Sequence, residues 1–542
     1  TGILDVRRDT SANDFSRAID RIHAALAAGD CYQVNYTFRL AFKVFGSPVT
    51  LYRQLRRRQP VAFGALIRTP AGWTLSLSPE LFLRHAAGTL LAKPMKGTAA
   101  RDPAAGADDS GDSGTSDAPN DASRTARLHA ADAQRGVDLS RDPKNRAENV
   151  MIVDLLRNDL GRIAPPGGVS VTSLFAAEAW PTVWQLTSTI EASAPATTTF
   201  PDVLRALFPC GSITGAPKRA AIAQIAALET APRGLYTGAI GWIDRPLGRR
   251  CGDFCLSVAI RTIDIAPTST HGLADASAGI GAGIVLDSRA AGEYAECWLK
   301  ARFLTAADPG FALFETILAV AGRAPHRARH VTRLCEAARR LGFCPGPDVE
   351  PGSDAAVRDA VESALDAALG SLDSSDSSNS SGRTAPHRLR LALSKSGAVT
   401  WSAARLTPLA PGPVHVLLAR ERGFPATRAD DPLLRFKTTH RALYDAAWQA
   451  AEREGAFDLL FVNEQGHLTE GGRSNLFVKL EGRWFTPPVA DGLLPGVMRA
   501  LVLEDPRWRA AERALTPDDL HRAQALMLTN GLRGTLPAVL RP

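Results

Sequence analysis

Alternation of apolar and polar positions marks the strands of this chain, most clearly in its second half. In Arg388-Leu389-Arg390-Leu391-Ala392-Leu393 every second side chain is charged or small, and Val414-His415-Val416-Leu417-Leu418 starts the same way. That is the period of a pleated strand with one buried face. Leu459 to Val462 and His467-Leu468-Thr469 flank Asn463-Glu464-Gln465-Gly466, while Asn475 to Leu480 and Arg483 to Phe485 flank Glu481-Gly482. Each set predicts a hairpin closed by a glycine-containing turn. Residues 327–341 and 440–453 carry helical periodicity. In the first half, Glu148 to Asp159 has helical character, and a helix-like run ends at Lys300-Ala301-Arg302-Phe303-Leu304. The first strand-like pattern follows a helical segment and the chain opens on Thr1, so an upstream portion is expected to be missing.

Two stretches interrupt the patterning. Asp102 to Ser123 holds six Asp, no Lys or Arg, and only Ala among aliphatic residues. Such a segment buries too little apolar surface to offset its ordering entropy, which predicts a mobile loop over about 102–140. Ser371 to Gly382, rich in Ser, Asp and Asn, predicts another over about 371–384. Both read as expansions inside domains. The sharper break is Ala306-Ala307-Asp308-Pro309-Gly310, followed by a strand pattern at Phe311-Ala312-Leu313-Phe314-Glu315-Thr316. It divides the chain into domains at 1–305 and 310–542, of mixed α/β and α+β class.

Composition narrows the function classes. The net charge of +7 comes without a basic stripe interleaved with aromatics, so nucleic acid is not an expected partner. No apolar run reaches the roughly eighteen residues of a membrane span, and no signal peptide is visible. The seven cysteines are scattered and odd in number, as free thiols of a reducing cytoplasm would be.

Some positions carry chemistry. Glu293, Glu296 and Lys300 share one helix face by their spacing. By spacing alone they read first as an ordinary solvated ion pair, and alternatively as a carboxylate pair for a hard cation beside an ammonium for an anionic substrate. Ala278-Gly279-Ile280-Gly281-Ala282-Gly283 and Gly211-Ser212-Ile213-Thr214-Gly215-Ala216-Pro217-Lys218 could present backbone N–H groups to anions, or simply pack tightly. Lys96 lies in Lys93-Pro94-Met95-Lys96-Gly97-Thr98, a glycine-flanked turn where a lowered pKa would make an amine nucleophilic.

These segments recur in one order. Gly29-Asp30-Cys31-Tyr32-Gln33-Val34-Asn35, Ser78-Pro79-Glu80, the Lys96 turn, Lys144-Asn145-Arg146-Ala147-Glu148-Asn149, Gly211 to Lys218, Ile260-Arg261-Thr262 and Gly292-Glu293-Tyr294-Ala295-Glu296 resemble the chorismate-binding enzymes. The resemblance implies a two-layer sheet-and-helix domain with Mg²⁺ held by Glu148, Glu293 and Glu296. It implies that Tyr236, Arg261, Lys300 and the N–H groups around Gly281 and Gly283 hold the enolpyruvyl carboxylate of chorismate. Thr214 would line the pocket, Glu80 would assist departure of the ring 4-hydroxyl, and Lys96 would be a covalent nucleophile. A lysine at that position is characteristic of aminodeoxychorismate synthases, whereas anthranilate synthases carry a small residue. Two departures stand out: Gln185 occupies a position that is usually His, and the family's amino-terminal portion is nearly absent. No cysteine sits in a Gly-x-Cys-x-Gly elbow, so a separate glutamine amidotransferase is expected to supply ammonia.

The second half resembles the fold-type IV pyridoxal phosphate enzymes. The carriers are Phe314-Glu315-Thr316, His330-Val331-Thr332-Arg333-Leu334, Phe436-Lys437-Thr438-Thr439-His440-Arg441, Leu468-Thr469-Glu470-Gly471-Gly472-Arg473-Ser474-Asn475, Leu494-Pro495-Gly496-Val497-Met498-Arg499 and Thr529-Asn530-Gly531-Leu532-Arg533. By that resemblance Lys437 binds the cofactor and shuttles protons, Glu470 pairs with the pyridine nitrogen, and Arg333, Gly496, Val497, Met498 and Thr529 hold the phosphate. Arg533 would meet a substrate carboxylate, and a homodimer is the family-based expectation. Together the halves imply synthesis of 4-aminobenzoate, by amination of chorismate and then elimination of pyruvate. The rival is an anthranilate synthase-like domain joined to a D-amino-acid or branched-chain aminotransferase.

Overall fold

A computed structural model of the chain describes residues 1–101, 119–180, 183–268, 272–343, 354–375 and 385–541. The first half builds two antiparallel sheets. One runs in the order Gly2–Arg8, Gln33–Phe45, Leu273–Ile284, Thr262–Ile265, Gly72–Ser78, Phe63–Thr69, with Gly215–Ala216 paired onto the start of Gln33–Phe45. Its spine is the ladder between Gln33–Phe45 and Leu273–Ile284, unbroken from Phe45↔Leu273 to Val34↔Ile284. Residues 33–38 are buried on both strand faces, unlike a surface strand with one wet side.

Helices cover this sheet because their apolar positions recur every three or four residues. Ala12–Ala27 contributes Phe15, Ile19 and Ile22, and Ala290–Thr305 contributes Cys297, Ala301 and Leu304 to one core. The start of Ala12–Ala27 is set by a capping box, in which the Ser11 hydroxyl accepts from the Asp14 N–H and the Asp14 carboxylate accepts from the Ser11 N–H.

The second sheet runs Ala239–Ile243, Phe254–Val258, Leu81–Ala86, Thr89–Lys93, Val183–Ser193, Met95–Ala100, and Val169–Ala179 takes the far edge of Val183–Ser193. Thr89–Lys93 and Met95–Ala100 therefore lie end to end along one edge of Val183–Ser193, interrupted at Pro94, which has no N–H for the ladder. Helix Pro143–Gly161 packs Ile152, Val153, Leu156 and Leu160 onto this sheet.

In the second half the alternating segments form as the pattern indicates. Leu313–Ala319, His387–Leu393 and Val399–Arg405 make a small sheet. A larger one contains Val414–Leu418 and the hairpins Asp458–Val462/Leu468–Gly471 and Asn475–Leu480/Arg483–Thr486. The two helices expected there are Arg327–Leu341 and Ala442–Arg453, and Asp354–Ser375 and Val497–Glu504 are among the others.

Three expectations need correction. A strand, Gly2–Arg8, precedes the first helix and is paired with Gln33–Phe45. Residues Pro119–Arg141 form a helix, so the expected loop does not extend to 140; 102–118 lie outside the described residues. Ser371–Ser375 close the helix Asp354–Ser375, and 376–384 lie outside the described residues. No helix among the described residues is long and apolar enough to cross a membrane. Cys31, Cys210, Cys251, Cys255, Cys297 and Cys335 are free thiols.

The two halves share a core. Leu4 and Phe45 pack in one cluster with Phe311, Leu313, Val331 and Phe436. Beside them Arg340 Nε and Nη2 donate to the two carboxylate oxygens of Asp5, both at 2.9 Å, and its guanidinium stacks 5.1 Å from the Phe436 ring centroid. Leu4 is 1% exposed, so Leu4→Ala should cost about 2–5 kcal/mol. In chemical denaturation the unfolding of both halves should move to lower denaturant; a shift confined to the first half would show that the core is not shared.

Candidate functional site

The Lys96 turn is a β-bulge. Met95 pairs with Thr187 and Thr98 with Gln185, so three steps along one strand face two along the other. Gly97 takes up the irregularity with φ +91°, and a Cβ there would meet Asn145 Oδ1 at 2.9 Å. Lys96 is thereby turned out of the ladder toward Gly283, where an added Cβ would lie 3.1 Å from Lys96 Nζ and 2.6 Å from Gln33 Nε2. Burial is the largest influence on the Lys96 ammonium and pushes its pKa down, against the opposing pull of Glu148.

Glu80 faces this amine. Burial raises its pKa, against the Ser212 hydroxyl, which donates to Glu80 Oε1 at 2.7 Å, and the Lys96 charge. Lys96 and Glu80 are each pushed toward their neutral forms, an arrangement that suits an amine that attacks beside a carboxyl that donates.

The glycine segment 278–283 is strand, not loop. Thr262–Ile265 pairs only as far as Ala278, leaving the edge of 279–284 away from Gln33–Phe45 open. Lys300 Nζ donates to the Gly281 carbonyl at 3.0 Å on that edge. In a strand a residue's N–H and C=O point the same way, so the N–H groups of Gly281 and Gly283 also face the site. The Tyr236 ring covers Gly279, where a Cβ would come within 2.1 Å of it. Arg261, at φ 49° without being glycine, is strained backbone beside the site, and burial lowers its pKa. The Thr214 hydroxyl donates to the Cys210 carbonyl at 3.0 Å, leaving its lone pairs free.

The carboxylates expected to bind metal are neighbours but not a closed set. Glu293 Oε1 accepts from Ser288 Oγ at 2.7 Å, and Glu296 Oε1 pairs with Lys300 Nζ at 2.8 Å. Among the described residues no three His, Cys, Asp or Glu converge as metal ligands. Their chemistry nonetheless fits a hard cation: burial raises the Glu148 pKa against the pull of Lys96 and Lys144, and Glu293 and Glu296 add to the rise, a mutual repulsion of three carboxylates that a divalent ion would relieve. For Glu296, burial pushes upward but is outweighed by Lys300, which holds the carboxyl below its usual range.

Gln33 carries no role in the sequence reading. It is fully buried, and neither its side-chain nitrogen nor its oxygen has a hydrogen-bond partner. An orphaned amide beside Lys96 is a group waiting for a ligand. Its position inside a quoted block was the available signal.

The second site is a cavity of about 330 Å³ lined by Lys437, Arg333, Glu470, Gly496, Val497 and Thr529 among others. Burial, reinforced by Arg333, depresses Lys437 to about 8. Burial also raises Glu470 to about 8, against donation from the Leu494 N–H at 3.1 Å. Asn475 Nδ2 donates to its other oxygen at 3.1 Å. Arg333 is fixed by two bonds to Glu315, at 2.8 and 2.7 Å. The buried Thr529 hydroxyl has no partner, and helix Val497–Glu504 begins beside it behind Gly496, where a Cβ would strike Asn475 Oδ1 at 2.0 Å. An orphaned hydroxyl, free helix N–H groups and an arginine fit a phosphate, and the lysine and carboxyl fit the rest of a pyridoxal group.

Met498 and Arg533 do not line this cavity. Met498 is the second residue of its helix, and the Arg533 guanidinium is drawn away to the Thr407 carbonyl at 2.7 Å. In their place Arg388, Arg390, Arg441 and Arg473 line it, and Arg390 and Lys437 stack on Phe314 at 4.1 and 4.7 Å. The Arg-Leu-Arg alternation was legible as a strand but not as a cationic wall.

The family model described as chorismate binding enzyme matches residues 1–306, and that described as amino-transferase class IV matches residues 312–540. Aminodeoxychorismate synthase component 1 of Klebsiella aerogenes is 39% identical over 296 residues, 54% of this chain and 57% of that protein. Anthranilate synthase component 1 of Streptomyces coelicolor is 33% identical over 294 residues, 54% of this chain and 51% of that protein. The chain thus spans little more than half the length of these relatives. A solved fold IV transaminase from Curtobacterium pusillum is 24% identical, with 43% of this chain and 79% of its own aligned at a TM-score of 0.35.

Glu470 yields a prediction for the cofactor-free protein. Its folded pKa near 8 lies above the carboxylate value of 4.5, so the folded chain keeps a proton the unfolded chain loses. Its contribution to stability is complete below about 4.5 and lost as pH rises toward 8. Glu470→Gln should flatten that part of the stability profile measured by denaturant titration; an unchanged slope would refute the assignment.

Proposed function

The chain belongs to the chorismate-binding enzyme family, and from that premise we propose that it makes 4-aminobenzoate in two steps. Its first half aminates chorismate to aminodeoxychorismate, and its second half eliminates pyruvate from that product. The observation that carries this reading is the lysine on the glycine bulge, turned toward Gly283 and desolvated, together with a buried Glu80 carboxyl that burial pushes up. Similarity to relatives named for either amination does not separate them; the lysine favours the aminodeoxychorismate product over anthranilate.

In the first step the Lys96 amine bonds to ring C2, both ring double bonds shift by one place around the ring, and the C4 hydroxyl leaves as water with the Glu80 proton. Ammonia then bonds to C4 and the C2–Lys96 bond breaks, returning the amine. The orphaned Gln33 amide, beside Lys96, is placed to hold the ammonia or the departing water. Tyr236, Arg261, Lys300 and the 281 and 283 N–H groups would hold the enolpyruvyl carboxylate, with Thr214 lining the pocket. Glu148, Glu293 and Glu296 would bind Mg²⁺ once Glu296 leaves Lys300 and Glu293 leaves Ser288; the ion would neutralise the ring carboxylate. Ammonia would come from a separate glutamine amidotransferase, in the cytoplasm.

In the second half Lys437 would hold pyridoxal phosphate and move protons at the substrate carbon, while Glu470 supports the pyridine nitrogen. When bound, that cofactor supplies an electron sink. Arg388, Arg390 and Arg441 would orient a substrate with two carboxylates. Aromatisation drives the elimination. Pairing through this half would make the protein a homodimer.

Incubation with chorismate, Mg²⁺, pyridoxal phosphate and an ammonium salt should give 4-aminobenzoate and pyruvate by mass spectrometry, and anthranilate instead would overturn the first-step assignment. Lys96→Ala should lower aminodeoxychorismate formation by at least about 10²-fold while elimination from supplied aminodeoxychorismate stays intact. Ser212→Ala removes the bond that lowers the Glu80 pKa, so amination should persist to higher pH than in the parent. A high-pH limb that does not move would remove Glu80 as the acid.

A further inference from the structure

We infer that Gln185 is a positioning residue for the amination step, a non-titrating clamp that holds the Lys96 bulge in its reactive shape. This rests on the reading of Lys96 as the nucleophile.

The bulge creates a structural debt. One extra residue between Met95 and Thr98 leaves backbone groups of the Lys96–Gly97 segment without ladder partners on Val183–Ser193. The Gln185 side chain supplies one of them, to the Gly97 carbonyl, and ties down the next side chain as well. Its Nε2 donates to the Gly97 carbonyl at 2.7 Å, and its Oε1 accepts from the Thr98 hydroxyl at 3.1 Å. Both ends of one carboxamide are therefore used on the two residues that follow the nucleophile. Asn145 packs against the opposite side of Gly97, within 2.9 Å of where a Cβ would sit. The turn is thus bonded to Gln185 and crowded by Asn145.

Chemistry explains why an amide suits this place. It offers a donor and an acceptor at once and keeps both at every pH. An imidazole offers both only while neutral, and becomes donor-only when protonated. Gln185 touches neither Glu80 nor Lys96 in any hydrogen bond, so its action is through the backbone at 97 and the hydroxyl at 98. Misplacement of a reacting group by about 1 Å can cost on the order of 10²-fold in rate. A clamp of this kind should therefore be felt in turnover and not in substrate binding.

The test uses the full chain with Mg²⁺, ammonium chloride and chorismate. Gln185→Met keeps the length of the side chain and removes both bonds. It should lower kcat for amination by about 10- to 10²-fold with KM for chorismate within about threefold, while elimination from supplied aminodeoxychorismate is unchanged. Gln185→His, which keeps a donor, should recover most of the loss at pH 8 and lose it again as pH falls through the imidazole range. Full kcat in Gln185→Met, or a loss carried by KM alone, overturns the inference. A second readout does not depend on turnover: the rate at which an amine-reactive acylating reagent modifies Lys96, followed by peptide mass spectrometry. Gln185→Met should change that rate several-fold and leave Lys437 modification as in the parent. Equal Lys96 rates in both proteins overturn the clamp even if the parent proves inactive on chorismate, and a changed rate supports it in that case too.

Discussion

The ladder between Gln33–Phe45 and Leu273–Ile284 is the constraint on which the rest depends. At one end it delivers Gln33, Gly281 and Gly283 to the Lys96 site. At the other, Phe45 enters the core of the second half, and Leu273 packs against it. Continuous antiparallel pairing over twelve positions leaves little room for relative movement of those ends. The glycines at 279, 281 and 283 are compatible with it because each lies where a side chain would collide with Tyr236, Thr37 or Gln33. The same sequence feature that could have been an anion-binding loop is thus a strand whose bareness makes room for its neighbours.

Both candidate sites solve one electrostatic problem in the same way. Each sets a lysine and a carboxyl in a desolvated pocket, and in each the lysine is driven down and the carboxyl up. Burial dominates in all four cases, which is the term that favours neutral forms regardless of sign. The partners differ in how they are held. Glu80 leans on a hydroxyl, whereas Glu470 is fixed by a backbone N–H and an amide. The second carboxyl is accordingly the more rigidly aimed.

Much of this was legible in the chain, for identifiable reasons. Strands such as His387–Leu393 announce themselves because one face is buried and the other is not. Gly2–Arg8 does not, since its pattern is apolar residues followed by charged ones, and its strand character comes from pairing with distant residues. The helix Pro119–Arg141 was obscured by the acidic, small-residue stretch that leads into it. Among site residues, motifs located Lys96, Glu80, Lys437 and Glu470. They could not give the direction of Arg533, which an acceptor on another segment decides; the Glu296–Lys300 pair, by contrast, is the ordinary ion pair that the helical spacing allowed.

The long strand also acts as a ruler. From Gly283, at the amine of the first site, to Leu273, against the core that holds the second lysine's segment, is ten residues, or about 34 Å at the rise of an extended chain. A molecule released at one end of that ruler is born within a few nanometres of the other. For the proposed pair of reactions, that fixed span sets how far the intermediate must diffuse, because the strand cannot shorten or stretch.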